Sequence, residues 1–154
     1  MSLAVIHNKK SGMNSVVGQI LADTLSADRF AAEDNPSLDE YEIVILVLSN
    51  AGDEELPQPM EDYLCSLQPG NKTYAVCELG NYFGLDHYCG CKMVAFQILD
   101  GLGWNRVSDL SLDSTPDLDD ESLKAWIKNL KIIIDHSRYA TCDFSCNELE
   151  PTSF

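Results

Sequence analysis

The sequence predicts a three-layer, doubly wound α/β fold built on five parallel strands. Three observations lead there. Strand-like and helix-like patterns alternate along most of the chain, as consecutive βα units require. The run Ile43-Val44-Ile45-Leu46-Val47-Leu48 is apolar at every position, which fits a strand covered by helices on both faces. At the N-terminus, the apolar run Leu3–Ile6 passes through a short polar loop into a helical pattern. Such a turn gathers unpaired backbone N–H groups and the positive end of a helix dipole at one spot.

The elements follow in order. Leu3–Ile6 reads as the first strand. Ser15–Leu25 reads as a helix, with Val17, Leu21 and Leu25 four apart on one face and Asn14 or Ser15 as its cap. Asp28–Ala32 is a short second strand, followed by a loop over Glu33–Asp39. Tyr41–Leu48 is the third strand, and Ser49-Asn50-Ala51-Gly52-Asp53 the turn after it. Pro57 and Pro59 precede a helix over Met60–Leu67, since proline is tolerated in a first turn. Pro69-Gly70-Asn71 breaks it. Thr73–Cys77 is the fourth strand, Gly80–Gly90 a glycine- and aromatic-rich loop, Cys91–Leu102 a helix and Arg106–Leu112 the fifth strand. Asp119–Ile134 closes the pattern with the apolar stripe Leu123, Trp126, Ile127, Leu130 and Ile134. One domain over residues 1–134 is expected, followed by a polar tail, 135–154, packed on the surface or partly disordered.

Composition narrows the function. The 154 residues carry 25 acidic and 10 basic side chains, a formal charge of −15. Nucleic-acid binding is not expected, because clustered Lys and Arg are lacking. The longest aliphatic run is too short for a bilayer, and no signal peptide is apparent, so a cytoplasmic protein is expected. Six cysteines without a Cys-x-x-Cys pair read as free thiols. A thiolate metal site joining Cys89, Cys91, Cys142 and Cys146 is the alternative. No phosphatase loop, nucleophile elbow or Walker loop occurs, so no catalytic residue is expected.

Right-handed crossovers bring the loops after strands one, three and four to one edge of the sheet. The first loop, Lys9-Lys10-Ser11-Gly12-Met13-Asn14, offers amides and side chains to a phosphate. The second is small. The third holds Gly80, Asn81, Tyr82 and Phe83, with Tyr88, Cys89 and Gly90 following. Together they fit a mononucleotide with a planar ring. Each loop also has a plainer reading as a turn, a helix cap or packing aromatics.

On these three loops the sequence resembles the flavodoxin family, from residue 3 to about 134. Ser11 and Gly12 fall on the Thr-Gly of the family's phosphate loop, and Asn14 on its last Thr. Ser49-Asn50-Ala51-Gly52-Asp53 is similar to the family's Ser-Thr-Trp-Gly-Asp turn. Gly80-Asn81-Tyr82-Phe83 with Tyr88-Cys89-Gly90 is similar to its Gly-rich aromatic loop. The resemblance implies strand order 2-1-3-4-5 and a non-covalent FMN that shuttles single electrons between redox enzymes. It places the phosphate on Ser11, Gly12, Met13 and Asn14, assisted by Lys9 or Lys10. The ring would lie between Asn50, Ala51 and Gly52 on one side and Gly80, Asn81, Tyr82 and Phe83 on the other, with Tyr88, Cys89 and Gly90 beneath. Asp53, Glu54, Glu55 and Glu78 would lower the flavin potential and steer basic partner surfaces. Lys9 and Lys10 replace small hydroxyl residues, Met13 an Asn and Ala51 an aromatic. These departures motivate the alternative, a module that has lost FMN and serves as an interaction or regulatory domain.

Overall fold

The computed structural model describes residues 2–9, 12–49, 56–80, 90–113 and 118–142, with only the backbone given for 90, 113 and 137–142. Five strands form a single parallel sheet: β1 (Leu3–His7), β2 (Asp28–Ala31), β3 (Ile43–Ser49), β4 (Thr73–Gly80) and β5 (Asn105–Asp113). Their spatial order is β2-β1-β3-β4-β5. Four helices connect or follow them: α1 (Gly12–Leu25), α2 (Gln58–Cys65), α3 (Gly90–Gly101) and α4 (Asp120–Cys142).

The layers follow from the period of two along each strand. On β1 and β3, Leu3, Val5, Ile43, Ile45 and Val47 pack with Val17 and Leu21 of α1 and with Leu123, Trp126, Ile127, Leu130 and Ile134 of α4. The alternate residues Ala4, Ile6, Val44, Leu46 and Leu48 pack with Met60 and Leu64 of α2 and with Ala95, Phe96 and Leu99 of α3. The chain moves one way from β1 to β2 and the other way from β3 to β5, so right-handed crossovers demand helices on opposite faces. The switch falls between β1 and β3, which is where doubly wound sheets open a crevice.

Several boundaries differ from the sequence expectation. Helix α1 starts at Gly12, so Asn14 and Ser15 lie in its first turn and neither is its cap. Helix α2 starts two positions early and takes Pro59 into its first turn. β2 ends in a short 3-10 turn, Ala32–Asp34, where a loop was expected. Strand β4 continues past Cys77 to Gly80, because Glu78, Leu79 and Gly80 pair with Ser111, Leu112 and Asp113 of β5. Tertiary pairing overrides the poor strand propensity of Glu and Gly. Helix α4 runs to Cys142, into the segment expected to be a tail. Its start is capped by Asp119, whose carboxylate accepts from the Ser122 N–H at 3.1 Å.

Candidate functional site

All five strands run parallel, so β1, β3 and β4 end at one rim. At that rim α1 begins beside the end of β3. The Asn14 amide nitrogen lies 3.4 Å from the Ser49 hydroxyl, across 35 positions of chain. Asn14 is fully buried, and its Oδ1 has no hydrogen-bond partner among the described residues. The first turn of α1 carries no acidic residue. Among the described residues, a Cβ added at Gly12 would meet nothing within 4 Å. Met13, by contrast, packs on the core between α1, α4 and the sheet.

β1 ends in two buried polar residues. His7 shares a 2.8 Å hydrogen bond with the Asn8 carbonyl, and its ring lies against Gly18 of α1. Asn8 is 4% exposed, and its Oδ1 is the second buried acceptor without a described partner. Its Nδ2 donates instead to Glu33 at 3.3 Å. Glu33 also accepts the Lys9 backbone N–H at 2.9 Å. The Lys9 ammonium pairs with Asp34 at 2.8 Å, both side chains largely exposed. Burial alone would push the Glu33 carboxyl up, but the Lys9 and Glu33 N–H groups, the Asn8 amide and the Lys9 charge outweigh it and hold it below the usual range. Arg29 of β2 reaches the Ser15 hydroxyl at 3.1 Å, so a cation stands beside the first turn of α1.

The end of β4 holds a different arrangement. Glu78 is fully buried on the α3 side. It accepts from the Cys91 thiol at 2.8 Å, the Lys92 N–H at 3.0 Å and the Ser111 hydroxyl at 3.3 Å. The carboxylate thus receives a backbone donor from the first turn of α3, where negative charge is favoured. The Lys92 ammonium bonds Ser111 at 2.8 Å and Asp109 at 2.7 Å. A register shift between Tyr74 and Ala75 leaves Val107 as the extra residue on β5 and sets Ser111 opposite Glu78.

Of the residues expected to hold a ligand, the structure brings Gly12, Met13, Asn14, Gly80 and Gly90 to this rim at element ends. It places Lys9 there too, with its ammonium engaged by Asp34. Lys10, Ser11, Asn50, Ala51, Gly52, Asn81, Tyr82, Phe83, Tyr88 and Cys89 lie outside the described residues, as do Asp53, Glu54 and Glu55. The roles of Asn8, Arg29, Glu33, Asp34, Ser49 and Ser111 were not read from the sequence. Their only signal is strand register: β2 ends beside β1, and β5 beside β4. Among the described residues no three His, Cys, Asp or Glu side chains group as a metal site, and no helix is long and apolar enough to cross a membrane. Cys89 and Cys146 of the alternative thiolate site lie outside the described residues.

Sheet order and layering together define the flavodoxin-like fold. Solved flavodoxins superimpose on this chain. Flavodoxin 1 from Bacillus cereus, oxidised, matches with a TM-score of 0.69 at 18% identity, covering 86% of this chain and 97% of its own. The Fusobacterium nucleatum flavodoxin bound to flavin mononucleotide gives 0.69 at 17% identity, covering 84% and 96%. A Streptococcus flavodoxin gives 0.60 at 24%, covering 83% and 94%. No family model matches the sequence, and no curated protein does.

Proposed function

We propose that this chain is an FMN-binding electron carrier, its flavin phosphate seated at the start of α1. The observation that carries the reading is the buried Asn14 amide. A serine hydroxyl both donates and accepts, so the amide can turn over against Ser49. Oδ1 then takes the hydroxyl proton, and Nδ2 becomes a donor for a phosphate oxygen. That exchange would satisfy an acceptor whose isolation costs about 1–3 kcal/mol. The lack of any described residue within 4 Å of a Cβ at Gly12, and of acids in the first turn, supports room and field for an anion. The residues at this helix start therefore fit a phosphate.

Ser11, Gly12, Met13 and Asn14 would hold the phosphate through amides and hydroxyl or carboxamide groups. Asn50, Ala51 and Gly52, with Gly80 to Phe83 and Tyr88 to Gly90, would border the ring. FMN supplies the electron-accepting chemistry when bound. Glu78 anchors the start of α3, and so fixes one end of the segment that would border the ring. Its buried charge also disfavours added negative charge nearby. The net charge of −15 steers basic partner surfaces.

Titration of apoprotein with FMN tests this. A Ser11/Asn14 double alanine variant should bind at least tenfold more weakly. Equal affinity in both proteins puts the phosphate elsewhere. One observation favours a second reading, a module without flavin: Glu33 and Asp34 already occupy an amide and the ammonium of the first loop. A purified protein that is colourless and ignores added FMN supports that module.

A further inference from the structure

The acidic pair after β2 is the feature of the rim that flavin binding does not require. Glu33 and Asp34 reach across about 25 positions of chain to the segment between β1 and α1. Three contacts close this clasp: Glu33 to the Lys9 N–H, Glu33 to the Asn8 carboxamide, and Asp34 to the Lys9 ammonium.

Each contact weakens what the segment offers a phosphate. A backbone donor is already taken by an internal carboxylate. The ammonium that would approach as a point charge is neutralised locally by Asp34. The Asn8 amide is held with Nδ2 toward Glu33, which leaves its acceptor oxygen as the buried end without a partner among the described residues. Two carboxylates on an exposed turn also repel a doubly charged phosphomonoester, over a range set by ionic strength. The uncharged part of a flavin would feel none of this.

We propose that Glu33, with Asp34, is a specificity-determining residue of the first loop: it narrows the preference for a phosphorylated flavin over the unphosphorylated one. The inference rests on the flavin reading for its ligand, but the clasp itself is defined by the three contacts. Glu33→Gln keeps the length and an acceptor while removing the charge. Asp34→Asn releases Lys9 without touching Asn8. Glu33→Asp retains the charge.

The test compares dissociation constants for FMN and riboflavin at low ionic strength, with inorganic phosphate binding followed by thermal shift, in these three variants and the native chain. Glu33→Gln and Asp34→Asn should each raise the FMN-to-riboflavin preference by about three- to tenfold, leave riboflavin affinity unchanged and tighten phosphate binding. Glu33→Asp should leave the preference near the native value. The gains should fade at high salt. Unchanged or weaker FMN and phosphate binding in folded Glu33→Gln overturns the proposal, because the clasp then only orders the loop. Should no form of the protein bind either flavin, the flavin reading falls and inorganic phosphate decides alone: tighter binding in Glu33→Gln supports the clasp, and equal or weaker binding refutes it. If Glu33→Gln does not fold, Asp34→Asn, which alters only an exposed ion pair, carries the same two outcomes.

Discussion

Replacing Gly18 by alanine tests the packing beneath the first loop. In a helix interior this exchange ordinarily stabilises by about 1 kcal/mol, because alanine has less backbone freedom to lose. Here the new methyl would meet His7 Cδ2 at 2.7 Å, with Cγ and Nε2 at 3.4 Å. Carbon pairs are comfortable near 3.5–4.0 Å, so the ring must retreat by most of an ångström. It has little freedom to do so. His7 is 5% exposed and tied to the Asn8 carbonyl at 2.8 Å, and Asn8 is tied to Glu33. Overpacking of this kind costs about 1–3 kcal/mol. Set against the helical gain, the expected result is a net loss of up to about 2 kcal/mol. At this chain length each kcal/mol lowers Tm by roughly 2–4 °C.

Urea unfolding followed by circular dichroism supplies the measurement, run as a cycle with His7→Ala. In the His7→Ala background the ring is gone, so Gly18→Ala should stabilise by about 1 kcal/mol. The coupling between the two sites should be about 1–3 kcal/mol. A Gly18→Ala protein as much stabilised with His7 present as without it would refute the contact. The His7 ring would then not lie over α1, and the close approach of β1 to α1 that sets the first loop would be wrong.

Further outcomes follow from the same geometry. Gly12→Ala meets no described residue within 4 Å, so apoprotein stability should be unchanged or raised by up to about 1 kcal/mol, while FMN affinity in direct titration should fall because the methyl would crowd the proposed phosphate. Glu78→Gln sets an amide NH2 among groups that donate to the carboxylate; urea unfolding should show a loss of about 1–3 kcal/mol, and no loss would mean that the carboxylate does not hold α3. Burial, reinforced by the Glu78 charge, pushes the Cys77 thiol from 9.0 up to about 12, and burial pushes the Tyr63 phenol from 10.0 up to about 12. The folded chain thus keeps protons that the unfolded chain releases, so their contribution is intact below pH 9 and declines as pH climbs toward about 12. Cys77→Ala should delay the onset of that decline by roughly one pH unit in equilibrium unfolding. Thiol labelling of the native protein, mapped by mass spectrometry, should modify exposed Cys65 and spare buried Cys77 and Cys91.

The chain alone determined the architecture. Six consecutive apolar residues can only be covered on both faces, and β3 is the middle strand of the sheet. The stripe from Leu123 to Ile134 packs as one face of α4. Side-chain period and chain direction are local properties, so they are written in local sequence. Strand order came from likeness of the three loops to a family rather than from periodicity. Tertiary structure alone decided what surrounds the start of α1. Glu33 reads as a solvated loop acid until β2 is laid beside β1, which brings it to Asn8 and Lys9. Glu78 reads as a loop residue until pairing with β5 carries β4 to Gly80 and buries the carboxylate against α3 and Ser111. Contacts of this kind depend on register between segments far apart in sequence, and no local pattern of residues encodes that register.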